Sequence, residues 1–190
     1  MMQRLWLVVL CAIFGALVGQ APSWGQGSGD GSVEVGGAVA RPGSWTVSRI
    51  NSELASEVKP VEYDSHGQKH TAHCIGLLSL LKACGAPTDL KMDPRADPKT
   101  KNLPMRMVVV VEASDGYAAV FSLGELMPQV GNKEVWLAMD LDGKPLPAGY
   151  GPLRLVIPSD AKPARGVHGI SRITVFDAAS AAQAKPRDGK

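Results

Sequence analysis

Residues 105–121 read MRMVVVVEASDGYAAVF, and this stretch says most about the fold class of the chain. Residues 105–112 are rich in β-branched side chains, which predicts a buried strand. The pair Asp115-Gly116 is a strong signal for a two-residue hairpin turn, and residues 117–121 supply the partner strand. The centre of the chain therefore predicts two antiparallel strands joined by a tight turn.

Short apolar runs separated by turn residues continue on both sides of this hairpin. They predict further strands at residues 32–37, 58–63, 69–73, 134–139, 153–157 and 170–176, with a turn at residues 65–68. Strands do not alternate regularly with full-length helices, which argues against a doubly wound parallel sheet. We predict an α+β domain with mixed β-sheets, short helices and long loops.

Three short helices are predicted between these strands. The first covers residues 46–54 with Ser48 as its cap. A second begins at Ser122, because Ser122 and Glu125 have the spacing of a capping box. The helix at residues 75–84 ends before Gly85, and its apolar face is predicted to contain Leu77, Leu78, Leu81 and Cys84.

The first 25 residues have a different composition from the rest. Arg4 is followed by an uncharged apolar run, residues 5–18, which is typical of a signal peptide and shorter than the roughly 20 residues that span a bilayer. Cleavage could follow Ala21 or Gly25, and an uncleaved anchor is the alternative. We predict a signal peptide at 1–25, a linker at 26–31, a domain at 32–177 and a loose tail at 178–190. The mature protein is then periplasmic or secreted, with no membrane segment.

Charge and cysteine content narrow the function classes. The formal net charge is +2, without a basic stripe carrying aromatic residues, so nucleic acid is not an expected partner. With Cys11 inside the signal peptide, only Cys74 and Cys84 remain. A helix between them would hold them farther apart than the about 7 Å that a disulfide spans. We predict two separate, buried thiols, with Cys84 on the apolar face of its helix.

A series of motifs, taken in order, resembles the oxidoreductase molybdopterin-binding (sulfite-oxidase-like) domain family. The motifs are GLLSLLKACGAP at 76–87, SDGY at 114–117, FSL at 121–123, WLA at 136–138, DGKPLP at 142–147, GPLRLVIP at 151–158, KPARGV at 162–167 and SRITV at 171–175. The resemblance covers about residues 33–175. It implies a sulfite-oxidase-like fold, two-electron oxidoreductase chemistry on a small substrate, and transfer of electrons to a separate protein partner.

The sequence departs from this family at the metal ligand. In catalytic members a cysteine of a C.GN.R motif binds molybdenum, whereas residues 58–67 here read VKPVEYDSHG and contain no cysteine. Molybdenum needs a soft anionic ligand such as a thiolate. Two functions stay open: an exported oxidoreductase-like protein that binds the phosphate of molybdopterin, and a non-catalytic module that binds a ligand or another exported protein.

The resemblance also suggests cofactor contacts. Arg154 matches the family's anion-binding arginine, Arg165 stands at the cofactor-contacting lysine, and Tyr150 replaces a histidine. Together with Lys162 they are the predicted contacts to a pterin phosphate, because guanidinium groups bind phosphate through two hydrogen bonds. Solvated surface charges are the alternative interpretation of these residues. No catalytic residue is assigned.

A second group of residues has metal-ligating side chains but unsuitable spacing. His70 and His73 are three apart on a predicted strand and so point to opposite faces, and His66 lies in the turn. We predict exposed imidazoles here and no metal site with Cys74. A zinc- or copper-binding protein that uses this hairpin therefore ranks below the other two functions. Trp136 is predicted to lie in the core.

Overall fold

The computed structural model describes residues 31–90, 95–97 and 100–183. The predicted signal peptide, nearly all of the linker and residues 184–190 lie outside these ranges. Eleven strands are described: β1 Val33–Gly37, β2 Gly43–Trp45, β3 Lys59–Ser65, β4 Gln68–Gly76, β5 Met107–Ala113, β6 Ala118–Ser122, β7 Trp136–Ala138, β8 Asp140–Leu141, β9 Lys144–Pro145, β10 Arg154–Val156 and β11 Ile170–Asp177. Four helices accompany them: α1 Val47–Glu53, α2 Leu77–Ala83, α3 Leu123–Leu126 and α4 Ala178–Gln183.

The larger sheet has five strands in the order β2-β1-β11-β5-β6. Strands β1 and β11 are parallel, and the other neighbours are antiparallel. The β5–β6 pair is the predicted central hairpin, but the predicted two-residue turn at Asp115-Gly116 is wrong: the Ala113 N–H donates to the Tyr117 carbonyl at 2.8 Å, so three residues, 114–116, form the loop, and β6 begins at Ala118. On β5 Met107, Val109 and Val111 face the core. Strand β5 begins two residues later than predicted, because the 3-10 turn Leu103–Arg106 precedes it.

The second sheet is antiparallel, with the order β10-β7-β4-β3. Ile75, Leu137 and Leu155 point from one face into the main core, which also contains the buried side of the larger sheet. Because side chains alternate along a strand, their neighbours point to the opposite face. There they form a second cluster: Val61, Tyr63, Ala72, Cys74, Trp136, Ala138 and Val156. The mixed and antiparallel sheets confirm the predicted α+β class.

Two of the predicted helix caps are wrong. Helix α1 is capped by Thr46, whose hydroxyl accepts a hydrogen bond from the Arg49 N–H at 3.1 Å, while Ser48 lies within the first turn. The hydroxyl of Ser122 makes no capping hydrogen bond, because Ser122 ends strand β6 with its side chain in solvent and α3 has only four residues.

Helix α2 begins two residues later than predicted, because Gly76 is still paired with Trp136 in the second sheet. The residues buried along α2 and at its C-terminal end are Leu77, Leu80, Leu81 and Cys84. The predicted apolar face contained Leu78 instead of Leu80, but Leu78 is only half-buried. Gly85, at φ +74°, ends the helix as predicted.

The first residues of the predicted tail, 178–183, form helix α4. Asp177 caps this helix: its carboxylate accepts hydrogen bonds from the Ala179 N–H and the Ser180 hydroxyl, and it pairs with Arg106. A charged cap of this kind stabilises the start of a short helix that buries little surface.

Several side-chain predictions are confirmed. Cys74 and Cys84 are free and buried, and Trp136 is buried in the second cluster. The β3–β4 hairpin turns at His66-Gly67, within the predicted residues 65–68. Within the described part of the chain, no helix has the length and apolar character needed to cross a membrane.

Candidate functional site

Arg154 is the most unusual side chain of the second sheet. It lies on strand β10 opposite Ala138, one residue before the core residue Leu155, so that its side chain leaves the sheet on the face away from the main core. Only 8% of its surface is exposed. Burying a guanidinium group costs free energy unless the charge finds a partner of opposite sign.

The partners that the protein supplies to Arg154 are neutral. One terminal nitrogen donates a hydrogen bond to the Tyr63 hydroxyl at 3.4 Å. The guanidinium carbon lies 5.4 Å from the ring centre of Tyr63 and 5.9 Å from that of Tyr150. Among the described residues, Nε has no hydrogen-bond partner and no carboxylate lies within ion-pair distance. Arg154 is therefore a buried cation whose counter-charge is missing from the described chain.

A cleft of about 410 Å³ opens beside Arg154. One wall comes from the β3–β4 hairpin and the other from the segment 157–166, which follows β10. Its lining residues are Tyr63, Asp64, Ser65, His66, Gly67, Arg154, Leu155, Val156, Ile157, Pro158, Asp160, Ala161, Pro163 and Gly166. A cleft of this volume matches the sites that hold small organic ligands.

The segment 157–166 is held in place by a cluster of charges around Asp160. Its carboxylate accepts hydrogen bonds from Arg165 at 2.7 and 2.9 Å and pairs with Lys133 at 2.9 Å. Arg165 also contacts Glu125 at 3.4 Å and lies over the Phe121 ring. The hydrogen bond from Arg165 holds the pKa of Asp160 below its usual value, and the same bond raises the pKa of Arg165.

This cluster supports a prediction about pH. Because the pKa of Asp160 is lowered in the folded state, its contribution to stability is complete above its unfolded pKa and is lost as pH falls through the folded pKa. We expect Asp160→Asn to lower the free energy of unfolding at pH 7 by about 1.5–3 kcal/mol. The difference from wild type should shrink in the acid range below the usual Asp value of 3.8.

Urea unfolding at pH 7 and at pH 3 measures this difference. Glu53→Gln is the control, because Glu53 forms an exposed pair with Arg49 four residues away and should cost at most about 0.5 kcal/mol. A pH-independent loss in Asp160→Asn would contradict the assignment of the effect to ionised Asp160.

The four predicted cofactor contacts occupy different positions. Arg154 lies in the cleft, and Tyr150 lies beside its guanidinium group. Arg165 is engaged by Asp160 and Glu125 and holds a wall of the cleft rather than lining it. Lys162 is exposed, also outside the lining residues.

Sequence reasoning missed the residues that surround Arg154. Tyr63 and Ser65 come from the inward-facing positions of β3, and the Ser65 hydroxyl lies 3.1 Å from Nδ1 of His66. His168 stacks on Tyr150, with ring centres 4.2 Å apart. The alternation of β3 was a signal for Tyr63 and Ser65, whereas no local pattern marks His168.

The thiols do not fit a molybdenum ligand. Cys74 is fully buried in the second cluster, and its sulfur donates to the Ala72 carbonyl at 3.5 Å. Burial raises the pKa of Cys74 to about 12, so the thiol stays protonated. Cys84 lies in the main core, and burial raises its pKa as well. The described residues around the cleft fit an oxyanion and do not supply the thiolate that would hold the metal.

Of the two histidines of β4, His73 is exposed, as predicted, whereas His70 is half-buried. Nδ1 of His70 lies 2.8 Å from Asp142, and Nδ1 of His73 lies 2.6 Å from Asp140. The same carboxylates accept hydrogen bonds from the Thr71 and His73 backbone N–H groups, which fastens the β8–β9 hairpin to β4. Within the described ranges, no three His, Cys, Asp or Glu side chains lie close enough together to hold a metal ion.

Comparisons with known proteins bear on the family of the chain. A search of curated proteins finds no match. Among solved structures, the sulfane dehydrogenase SoxCD from Paracoccus pantotrophus is similar, with 19% identity and a TM-score of 0.49 over 78% of this chain and 38% of that one. The chain thus spans well under half the length of that protein. The family model of the oxidoreductase molybdopterin binding domain matches residues 28–184, so the chain belongs to the oxidoreductase molybdopterin-binding domain family.

Proposed function

We propose that this domain binds a small oxyanionic ligand, such as the phosphate of a pterin cofactor, at Arg154, and that it does so without a protein thiolate bound to molybdenum. The observation that carries the proposal is the burial of Arg154 without a carboxylate partner among the described residues. An oxyanion in the adjacent cleft would supply the missing charge and accept hydrogen bonds from the guanidinium group.

The rest of the cleft supports the same ligand class. Ser65 and His66 line the same cleft as Arg154 and provide a hydroxyl and an imidazole, both of which can donate hydrogen bonds to an oxyanion. Of the two carboxylates that line the cleft, Asp160 is neutralised by Arg165 and Lys133, which reduces its repulsion of an anion. When bound, a pterin cofactor would bring redox chemistry to the domain, while the chain's own residues bind and orient its phosphate.

The test is calorimetric titration of the purified chain with inorganic phosphate. We expect wild-type protein to bind, and Arg154→Gln to bind at least about tenfold more weakly, because a charge-assisted contact is worth about 1.5–3 kcal/mol. Arg49→Gln is the matched control, since Arg49 is a partly exposed arginine that pairs with Glu53 and does not line the cleft. Equal phosphate affinities of wild type and Arg154→Gln would refute the proposal.

Metal analysis tests the second half of the proposal. Protein isolated from its native source should contain no stoichiometric molybdenum, whereas pterin fluorescence after oxidative release would identify a bound pterin. One molybdenum per chain would contradict the proposal that the domain has no metal centre. It would then favour a catalytic oxidoreductase.

We further propose that the chain is exported and acts in the periplasm or outside the cell. The apolar run at residues 5–18 supports this localisation. N-terminal sequencing of the periplasmic form should begin after Ala21 or after Gly25, and an intact Met1 would contradict cleavage. An exported protein that exchanges electrons with the domain, or binds it without redox chemistry, is the proposed class of partner.

A further inference from the structure

Arg154 lies close to two pairs of rings. The ring centres of Tyr63 and Tyr150 lie 5.4 and 5.9 Å from its guanidinium carbon. Tyr63 also contacts His70, with ring centres 5.8 Å apart, and Tyr150 contacts His168, with ring centres 4.2 Å apart and ring planes inclined by 21°. We call these five side chains the ring column. A cation close to two tyrosine rings is stabilised by their electron-rich faces.

The two histidines of the ring column differ in their charged neighbours. Nδ1 of His70 lies 2.8 Å from the Asp142 carboxylate, so a proton on this imidazole has a partner. His168 has no carboxylate within ion-pair distance among the described residues. The charges that act on it are Arg154 and His66, of like sign, and Asp115, of opposite sign. They come from β10, from the β3–β4 turn and from the β5–β6 turn.

Backbone contacts fix His168 against Tyr150. The Gly169 N–H donates to the Tyr150 carbonyl at 2.9 Å, and a Cβ atom at Gly169 would lie only 2.7 Å from the Gly149 carbonyl oxygen. Burial, followed by the charge of Arg154, lowers the pKa of His168 below its usual value. The imidazole is therefore neutral at pH 7 when the cleft holds no anion.

We propose that His168 is a titratable determinant of the anion site, so that protonation of its imidazole strengthens oxyanion binding at Arg154. This inference rests on the proposed function. An anion beside Arg154 reduces the repulsion that an imidazolium would meet, so bound anion and bound proton favour each other. Oxyanion affinity should then rise as pH falls through the pKa of His168.

Inorganic sulfate is the probe for this coupling, because it stays a dianion between pH 5 and pH 8 whereas phosphate titrates in that range. We expect wild-type affinity for sulfate to be about fivefold higher at pH 5 than at pH 8. In His168→Gln at least half of that rise, on a logarithmic scale, should be lost. The control is His73→Gln, because His73 lies outside the ring column, and it should keep the wild-type pH dependence.

A second measurement separates this inference from the proposed function. NMR titration of the His168 imidazole without ligand should give a higher pKa in Arg154→Gln than in wild type, and sulfate should raise the pKa in wild type. An unchanged pKa in Arg154→Gln would overturn the role of His168, even if sulfate binds. If the rise in sulfate affinity at low pH disappears in His66→Gln but persists in His168→Gln, then His66 causes it. That result would also overturn the role of His168. If sulfate does not bind at either pH, the anion site itself is refuted, whatever pKa values the NMR titration gives.

Discussion

Gly37→Ala is expected to lower the free energy of unfolding by about 3 kcal/mol or more. Gly37 ends β1 at φ +83°, and a Cβ atom there would lie 2.0 Å from the backbone oxygen of Val175 on β11. That oxygen also accepts a hydrogen bond from the Ala38 N–H at 2.6 Å. Because the obstacle is backbone in the middle of the larger sheet, relief requires separation of two paired strands.

Two other glycines distinguish the cost of the steric clash at Gly37 from the cost of a strained backbone conformation alone. Gly116 also has a positive φ, +89°, but no atom lies within 4 Å of the position that a Cβ would take, so Gly116→Ala should cost only the strain of about 1–2 kcal/mol. Gly36 has open space at its Cβ position and no positive φ, so Gly36→Ala should change stability by at most about 0.5 kcal/mol. Urea unfolding followed by circular dichroism gives all three values. Equal losses at Gly37 and Gly116 would contradict the close approach of β1 and β11.

Phe121→Ala is expected to cost about 3–5 kcal/mol. Phe121 is 1% exposed on β6 and packs in the main core, while the Arg165 guanidinium lies 4.9 Å from its ring centre. Truncation therefore leaves a cavity in the core and removes the surface on which Arg165 rests.

Val120→Ala is the control for this position. Val120 precedes Phe121 on the same strand, and 57% of its surface is exposed. Its truncation should change the free energy of unfolding by no more than about 0.5 kcal/mol, as for other exposed side chains. Chemical denaturation of both variants measures the contrast, and comparable losses would show that β6 does not present Phe121 to the core.

Most of the longer strands could be predicted from sequence because their signals are local, whereas the short strands β2, β8 and β9 were not predicted. Gly116, at φ +89°, closes the loop between β5 and β6, and Gly85, at φ +74°, ends α2 through the same backbone freedom. Helix boundaries were less accurate where tertiary pairing competes with helical propensity. Gly76 pairs with Trp136 in the sheet, and this long-range contact, absent from any local pattern, delays α2 by two residues.

The candidate site could be predicted only in part. Arg154 was found through a motif, but its importance depends on burial and on the absence of a carboxylate partner among the described residues, which are properties of the folded chain. Arg165 was predicted to bind a ligand, yet its closest partner is Asp160, five residues earlier, within the same segment. His70 and Asp142 are 72 residues apart, and no spacing rule could have paired them.

The parallel contact between β1 and β11 has a consequence for the order of events in folding. Strand β1 starts at Val33 and its partner ends at Asp177, so the centre of the larger sheet joins opposite ends of the domain. While the ribosome is still making the chain, β1 and β5 both lack the strand that belongs between them. Closing so large a loop is entropically costly and slow, so a growing or translocating chain exposes unpaired strand edges until residues 170–177 are free to pair.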